Sequence, residues 1–280
     1  MILPVRGGDL LAGQLAALAA QGWAGEWELV VVDNGLGEAA RAALDEFAGR
    51  LPMRVVSEPG PASVSAARNR GIAAARGELL VFCDHDDEVA PGWLAAMAEA
   101  AVGRHVVGGR MDEERFDPRR RSGRPRLAPG RLPVALGFLP FALGANLGVW
   151  RDAAVHLDGF CTEFVGGNDD VEFCFRAQLC GLRLGYAPTA VVAYRHRPDA
   201  RGLFAQFRAY GRTDPLLYRR FRHAGLRRPG AGAVARRWLR IALGAAAGCA
   251  APARRRRAVY VLAYSVGRIE GSLRHRAVYL

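Results

Sequence analysis

Leu79-Leu80-Val81-Phe82-Cys83-Asp84-His85-Asp86-Asp87 decides how this chain folds. An apolar run of strand length ends in three carboxylates within four residues. Short apolar runs bounded by charge read as buried strands of the kind found in parallel sheets. Acids crowded at the end of such a strand repel one another and raise each other's pKa. Burying them without a positive partner is costly. A divalent cation removes the repulsion, and carboxylate oxygens are the ligands hard cations prefer. The plainer reading is a solvated loop ahead of a helix, which Pro91-Gly92-Trp93 opens soon afterwards. Metal or phosphate chemistry is the better reading, because the acids follow a buried strand and do not sit on a free face.

Outward from this stretch, strands alternate with helices. Ile2-Leu3-Pro4-Val5 reads as a first strand. Leu11, Leu15 and Leu18 recur at helical spacing, with Asp9 as the expected cap and Gln21-Gly22 as the stop. Leu29 to Asp33 is a second strand, Ala40, Leu44 and Phe47 mark a helix, and Arg54-Val55-Val56 is a third strand. Ser63 caps a helix carrying Arg68-Asn69-Arg70-Gly71. This alternation predicts a parallel, doubly wound sheet through about residue 110. Ligands of such sheets sit at the carboxyl ends of the strands, so Asp33 and Asp84 are expected to line one crevice.

The pattern changes after Gly109. Residues 115 to 133 hold Arg115, Arg119, Arg120, Arg121, Arg124, Arg126 and Arg131 among Pro and Gly, a basic loop. It reads equally as a solvated segment and as a flap over an anionic substrate or lipid. Gly144 to Trp150 is a short strand, followed by a helix from Arg151. In Gly166-Gly167-Asn168-Asp169-Asp170-Val171-Glu172 the acids open a helix, where they suit its dipole. The two glycines before them allow close approach of a ligand. Glu172 and Arg176, four apart, are expected to pair on the helix surface. Leu182 to Tyr186 and Ala190 to Tyr194 read as strands ending at Arg195-His196-Arg197, and helical patterns follow from Gly202 to about His223 and from about Ala233 onward. The chain thus divides into 1–110, 111–200 and a helical extension, 201–280.

Composition narrows the function classes. The 280 residues carry a net charge of +12, and all 39 basic residues are arginine. Without lysine the chain is no ordinary P-loop NTPase and no pyridoxal phosphate enzyme. The downstream lysine of haloacid-dehalogenase phosphatases, which also place Asp-x-Asp after a strand, is missing too. The Cys count, five, is odd and includes no C-x-x-C pair, which predicts a reduced, cytoplasmic chain with packing thiols. Leu10 to Ala20 is amphipathic and is no signal peptide, and Ile241 to Ala253 is too short to span a bilayer. Arg254 to Arg257 lie near Trp238, Tyr260 and Tyr264 in sequence, a pattern that fits either a solvated helix face or peripheral contact with the inner face of an anionic membrane. No aromatic interleaving supports a nucleic-acid partner. The first strand begins almost at Met1, which leaves a start further upstream open.

The order of pieces resembles a family 2 glycosyltransferase of the GT-A fold: a Rossmann-like, mostly parallel α/β sheet flanked by helices. The matching residues are Ile2-Leu3-Pro4, Val31 to Gly35, Ala67 to Gly71, Phe82 to Asp87, Gly144-Ala145-Asn146 and Asp169 to Glu172, in the family's order across roughly residues 1 to 200. The resemblance implies roles. Pro4, Asp33 and Arg68 belong to the donor site of a nucleotide-sugar. Asp84 and Asp86 are the Asp-x-Asp pair, holding the ribose and a divalent metal, Mn2+ or Mg2+, on the diphosphate. Asp170 is the catalytic base, with Asp169 in place of the usual Glu. Asn146, Gly166 and Gly167 fall on the acceptor side. Many relatives carry a metal-binding His after the last strand; that place falls on Tyr194, which makes His196, two residues on, a candidate ligand. Asn34 replaces an acid common in the family.

The expected function is inverting transfer of a sugar to an acceptor hydroxyl, lipid-linked or otherwise. Two alternatives stay open: a sugar nucleotidyltransferase, and a non-catalytic binding module on the same fold.

Overall fold

The valine- and leucine-rich runs form one eight-stranded sheet in the computed structural model, which describes residues 1–60, 63–118, 127, 130–247 and 252–280. The parallel strands β1 (Ile2–Gly7), β2 (Leu29–Leu36), β3 (Met53–Ser57) and β4 (Leu79–Cys83) lie in the order β3-β2-β1-β4. Helices α1 (Leu11–Ala19), α2 (Glu38–Phe47) and α3 (Val64–Ala74) connect them. The chain continues through β5 (Glu88–Val89), α4 (Trp93–Ala101) and β6 (Val106–Asp112) to a separate two-stranded sheet, β7 (Val134–Ala135) with β8 (Leu139–Pro140). Then β9 (Asn146–Trp150) runs antiparallel between β4 and β6. After α5 (Arg151–His156) and α6 (Asp169–Leu179), β10 (Leu184–Ala193) joins β6 in parallel, and β5 closes that edge antiparallel.

Side chains alternate across a strand, so each strand feeds two cores. Leu3, Val5, Val31 and Val81 face α1, α2 and α4. Ile2, Val30, Val32 and Phe82 pack on the other face, against α3, α5 and α6. Because β9 is antiparallel, its entrance, with Gly144 and Ala145, lies at the same edge as the carboxyl end of β4.

The structure corrects three expectations. Asp9 does not cap α1; Leu10 holds the N-cap position, with no side-chain cap bond. The two short strands read at 182–186 and 190–194 are the single strand β10, whose register on β6 shifts between Ala187 and Val191, around Pro188. Proline has no N–H for the ladder, so the strand bulges there. Glu172 and Arg176 do pair, at 2.9 Å, but not on the surface: Glu172 is fully buried, and Arg220 also reaches it, at 3.0 Å. Arg119, Arg120, Arg121, Arg124, Arg126 and Cys249 lie outside the described residues. Of the basic loop, Arg115 pairs with Glu88 at 2.9 Å.

The C-terminal helices are α7 (Ala200–Phe221), α8 (Ala231–Ala247) and α9 (Pro252–Arg274). No helix among the described residues is long and apolar enough to cross a membrane. Helices α7 and α9 touch backbone to backbone: a Cβ on Gly267 would collide with the Arg208 carbonyl oxygen, and one on Gly271 with that of Arg212. Gly267→Val should therefore push α9 off α7 and cost about 1–3 kcal/mol, read as a lower urea midpoint. An unchanged midpoint would show that the crossing is looser than described.

Candidate functional site

The site begins where β4 runs out. Asp84, Asp86 and Asp87 each offer one oxygen, and these oxygens lie within 4.8 Å of one another. Their loop is clamped by Gln14, a fully buried residue of α1. Its Nε2 donates to the Asp84 carbonyl at 3.1 Å, and its Oε1 accepts from Val89 N at 3.0 Å. Arg195, after β10, donates its backbone N–H to Asp87 Oδ1 at 2.7 Å and its Nε to the Asp86 carbonyl at 3.1 Å. Arg197 pairs with Asp86 at 3.0 Å.

The carboxyls are crowded. Burial pushes the Asp87 carboxyl well above the usual range, and Asp84 and Asp86 add to it. Asp84 is raised by burial too, against the pull of Arg68. Asp87 Oδ2 is buried without a hydrogen-bond partner among the described residues. Three convergent hard oxygens fit a divalent cation, with Asp84 and Asp86 facing the cleft and Asp87 buried behind them.

Arg68, on α3, faces this cluster from below and is only 4% exposed. Its Nη2 lies 3.3 Å from Asp84 Oδ1, and its Nη1 donates to Asp169 Oδ2 at 2.6 Å. Burial opposes its charge, but Asp169 and Asp84 outweigh that and hold the guanidinium above its ordinary pKa. The Phe160 ring lies under it, 5.4 Å from the guanidinium carbon. A Cβ at Gly144 would collide with this guanidinium, which is why a glycine stands there.

Asp170 sits in the first turn of α6, its Oδ2 accepting from Gly144 N and its Oδ1 from Val171 N, both at 2.8 Å. Burial, with help from the charge of Asp169, pushes its carboxyl up to about 6. The turn is anchored from outside the sheet. Asn168 takes a left-handed backbone at φ 64 and donates Nδ2 to Thr213 Oγ1 at 2.9 Å and Asp214 Oδ1 at 3.0 Å. Asp214 in turn pairs with Arg268 of α9 at 2.7 Å.

These elements enclose a cleft of about 670 Å³. Eight of the sequence-predicted residues line it: Pro4, Arg68, Asp84, Asp86, Gly166, Gly167, Asp169 and Asp170. Three do not. The Asp33 carboxylate turns back on its own loop, accepting from Gly35 N and Leu36 N at 2.9 Å; Asn34 lines the cleft beside it. Asn146 is fully buried and spent on the scaffold: it accepts from Trp93 Nε1 at 2.8 Å and donates to the Arg110 and Ala190 carbonyls at 3.0 Å, across the bulge in β10. His196 Nε2 lies 3.6 Å from Glu113, and its ring packs edge-on against Tyr194, outside the three-acid group. Sequence reasoning passed over Gln14, Arg197 and the link from Asn168 to Arg268. A glutamine on the apolar face of a helix, between Leu11 and Leu18, was a usable signal for the first.

Residues 3–154 match the sequence profile of glycosyl transferase family 2. The pre-mycofactocin glycosyltransferase of Mycobacterium tuberculosis is 28% identical over 203 residues, 68% of this chain and 42% of that protein. The chain thus spans less than half the length of that relative. A mannosyltransferase from Pyrobaculum calidifontis, solved with GDP-Man and Mn2+, superposes with a TM-score of 0.66 at 21% identity, covering 96% of this chain and 86% of that one. S. aureus TarS, solved with UDP-GlcNAc, gives a TM-score of 0.58 at 16% identity over 100% and 92% of the two chains.

Removing one partner of a buried ion network strands the other charges. Arg68→Met should therefore cost about 3–5 kcal/mol at neutral pH by denaturant unfolding. A loss below about 1 kcal/mol, the range of exposed pairs, would contradict the buried network.

Proposed function

The chain belongs to glycosyl transferase family 2 and has its GT-A fold, and on that premise we propose that it transfers a sugar from a nucleoside diphosphate to an acceptor hydroxyl, with inversion. The observation that carries the reading is the opposition of two acid sets across one cleft. Asp84, Asp86 and Asp87 come from the end of β4, and Asp169 and Asp170 from the start of α6. The ligands named for the solved relatives, GDP-Man with Mn2+ and UDP-GlcNAc, support a nucleotide-sugar donor.

In this reading the donor diphosphate lies over Asp84 and Asp86, and the nucleoside runs toward Pro4 and Asn34. A divalent cation held by these acids would supply Lewis-acid stabilisation of the leaving diphosphate. Asp33 acts on the nucleoside indirectly, by fixing the turn that presents Asn34. Asp169 positions Arg68, which keeps the two acid sets at their spacing. The acceptor oxygen forms a bond to the anomeric carbon while the bond from that carbon to the diphosphate oxygen breaks. The bonding pair leaves on the nucleoside diphosphate, and the acceptor proton passes to Asp170. A carboxyl titrating near 6 suits this task, because it is ionised at neutral pH yet more basic than an ordinary Asp.

The base must be ionised to act. Transfer should fall about tenfold per pH unit below about 6 and level off above it. Asp170→Asn should retain nucleotide-sugar binding in a thermal-shift assay while transfer drops by about 10²–10⁴-fold. Unchanged transfer by Asp170→Asn would move the base elsewhere.

A further inference from the structure

A second cavity, about 1220 Å³, adjoins the cleft. The two share Phe141, Asn168, Val171 and Tyr264, so they meet around the turn that carries Asp170. Its remaining walls come from Leu127, from residues 131–136 and from α7, α8 and α9. They combine two chemistries. Leu132, Val134, Leu136, Leu217 and Val261 are apolar, and Arg131, Arg236, Arg237, Arg240, Arg257 and Arg268 are cationic.

Asp214 is the one acid among the lining residues, and it is engaged by Arg268 at 2.7 Å and Asn168 at 3.0 Å. The other five arginines have no salt bridge to an acid among the described residues. Arg237 shows the consequence: burial and the neighbouring charge of Arg268 hold its guanidinium below the ordinary value. Arg237 is half-buried, while Arg131, Arg236, Arg240 and Arg257 are exposed along the cavity's rim. Arginine keeps its charge at any ordinary pH, so the cavity mouth carries a concentrated positive field that attracts an anion. Guanidinium forks match phosphate oxygens in particular. The volume far exceeds that of a lone phosphate, and Val134 and Leu243 keep apolar surface exposed on the cavity wall.

We infer that this cavity holds the acceptor, and that the acceptor is an anionic amphiphile: an apolar chain joined through a phosphate to the hydroxyl-bearing head. The assignment rests on the glycosyl-transfer reading above. The head reaches Asp170 past Asn168 and Val171, the phosphate lies among the arginines, and the chain follows Leu132, Val134 and Val261 outward.

The test is calorimetric, on the full chain. Dodecyl phosphate below its micelle concentration is titrated beside dodecanol and inorganic phosphate, with Arg237→Gln and Val134→Asp as variants. Nucleotide-sugar binding with Mn2+ is measured on every protein. Dodecyl phosphate should bind saturably and at least about tenfold more tightly than either control, since a hydrogen bond to a charged group contributes about 1.5–3 kcal/mol. Each variant should weaken it about tenfold or more while leaving donor binding intact. The exposed Val134 variant keeps the test decisive should the Arg237 variant misfold. A protein that binds donor but not dodecyl phosphate overturns this inference alone. Equal binding of inorganic phosphate, or variants that bind like the parent, also overturns it. Binding confined to phosphatidylglycerol vesicles would reassign the arginines to a membrane surface. Binding of dodecyl phosphate without any donor binding would sink the transfer reading, and the acceptor assignment with it.

Discussion

The Arg68 guanidinium sits between carboxylates that the chain delivers from opposite halves of the fold. Asp84 ends the fourth strand, and Asp169 opens a helix 101 residues away from Arg68 in sequence. Asp169, almost fully buried, depends on this cation, because a buried carboxylate must be paired or take up a proton; Asp84, with 31% of its side chain exposed, is held by it at the cleft floor. Much of the surrounding structure is shaped to admit it. Gly144 gives up a side chain so that the guanidinium can lie flat, and Phe160 supplies an aromatic floor that itself stacks on Phe173 at 4.6 Å. The same backbone at Gly144 donates to Asp170, so one glycine serves both the cation and the proposed base.

The second constraint reaches the site from outside the sheet. The α6 turn is tied through Asn168 and Asp214 to Arg268, which lies on the last helix. Helix α9 therefore fixes the position of Asp170 while also forming a wall of the larger cavity. In the proposed transfer, the C-terminal helices act by positioning and without touching the donor. Helices α7 and α9 meet through Gly267 and Gly271, which lets their backbones approach closely on either side of Arg268.

Much of this was legible in the sequence, for identifiable reasons. The runs at 29–33 and 79–83 announced buried strands because nothing else packs so many branched apolar residues against acids. Paired acids at 84–87 and 169–170 stood out for the same reason. Strand direction did not, since local pattern is indifferent to it; the antiparallel course of β9 is set by its partners β4 and β6. Spacing of four found the Glu172–Arg176 pair but could not tell that the pair is buried. Asn146 was expected on the acceptor side, yet it is spent across the bulge that Pro188 causes in β10. Contacts such as Gln14 to the Asp84 carbonyl span 70 residues and leave no periodic trace.

The central claim is that the acids after β4 bind a nucleoside diphosphate through a divalent cation, opposite Asp170. Titration calorimetry of nucleoside diphosphates into the protein, with Mn2+ and then with EDTA, tests it most directly. Saturable binding is expected with Mn2+ and should disappear in EDTA and in Asp86→Ala. Binding of equal strength in EDTA would contradict it.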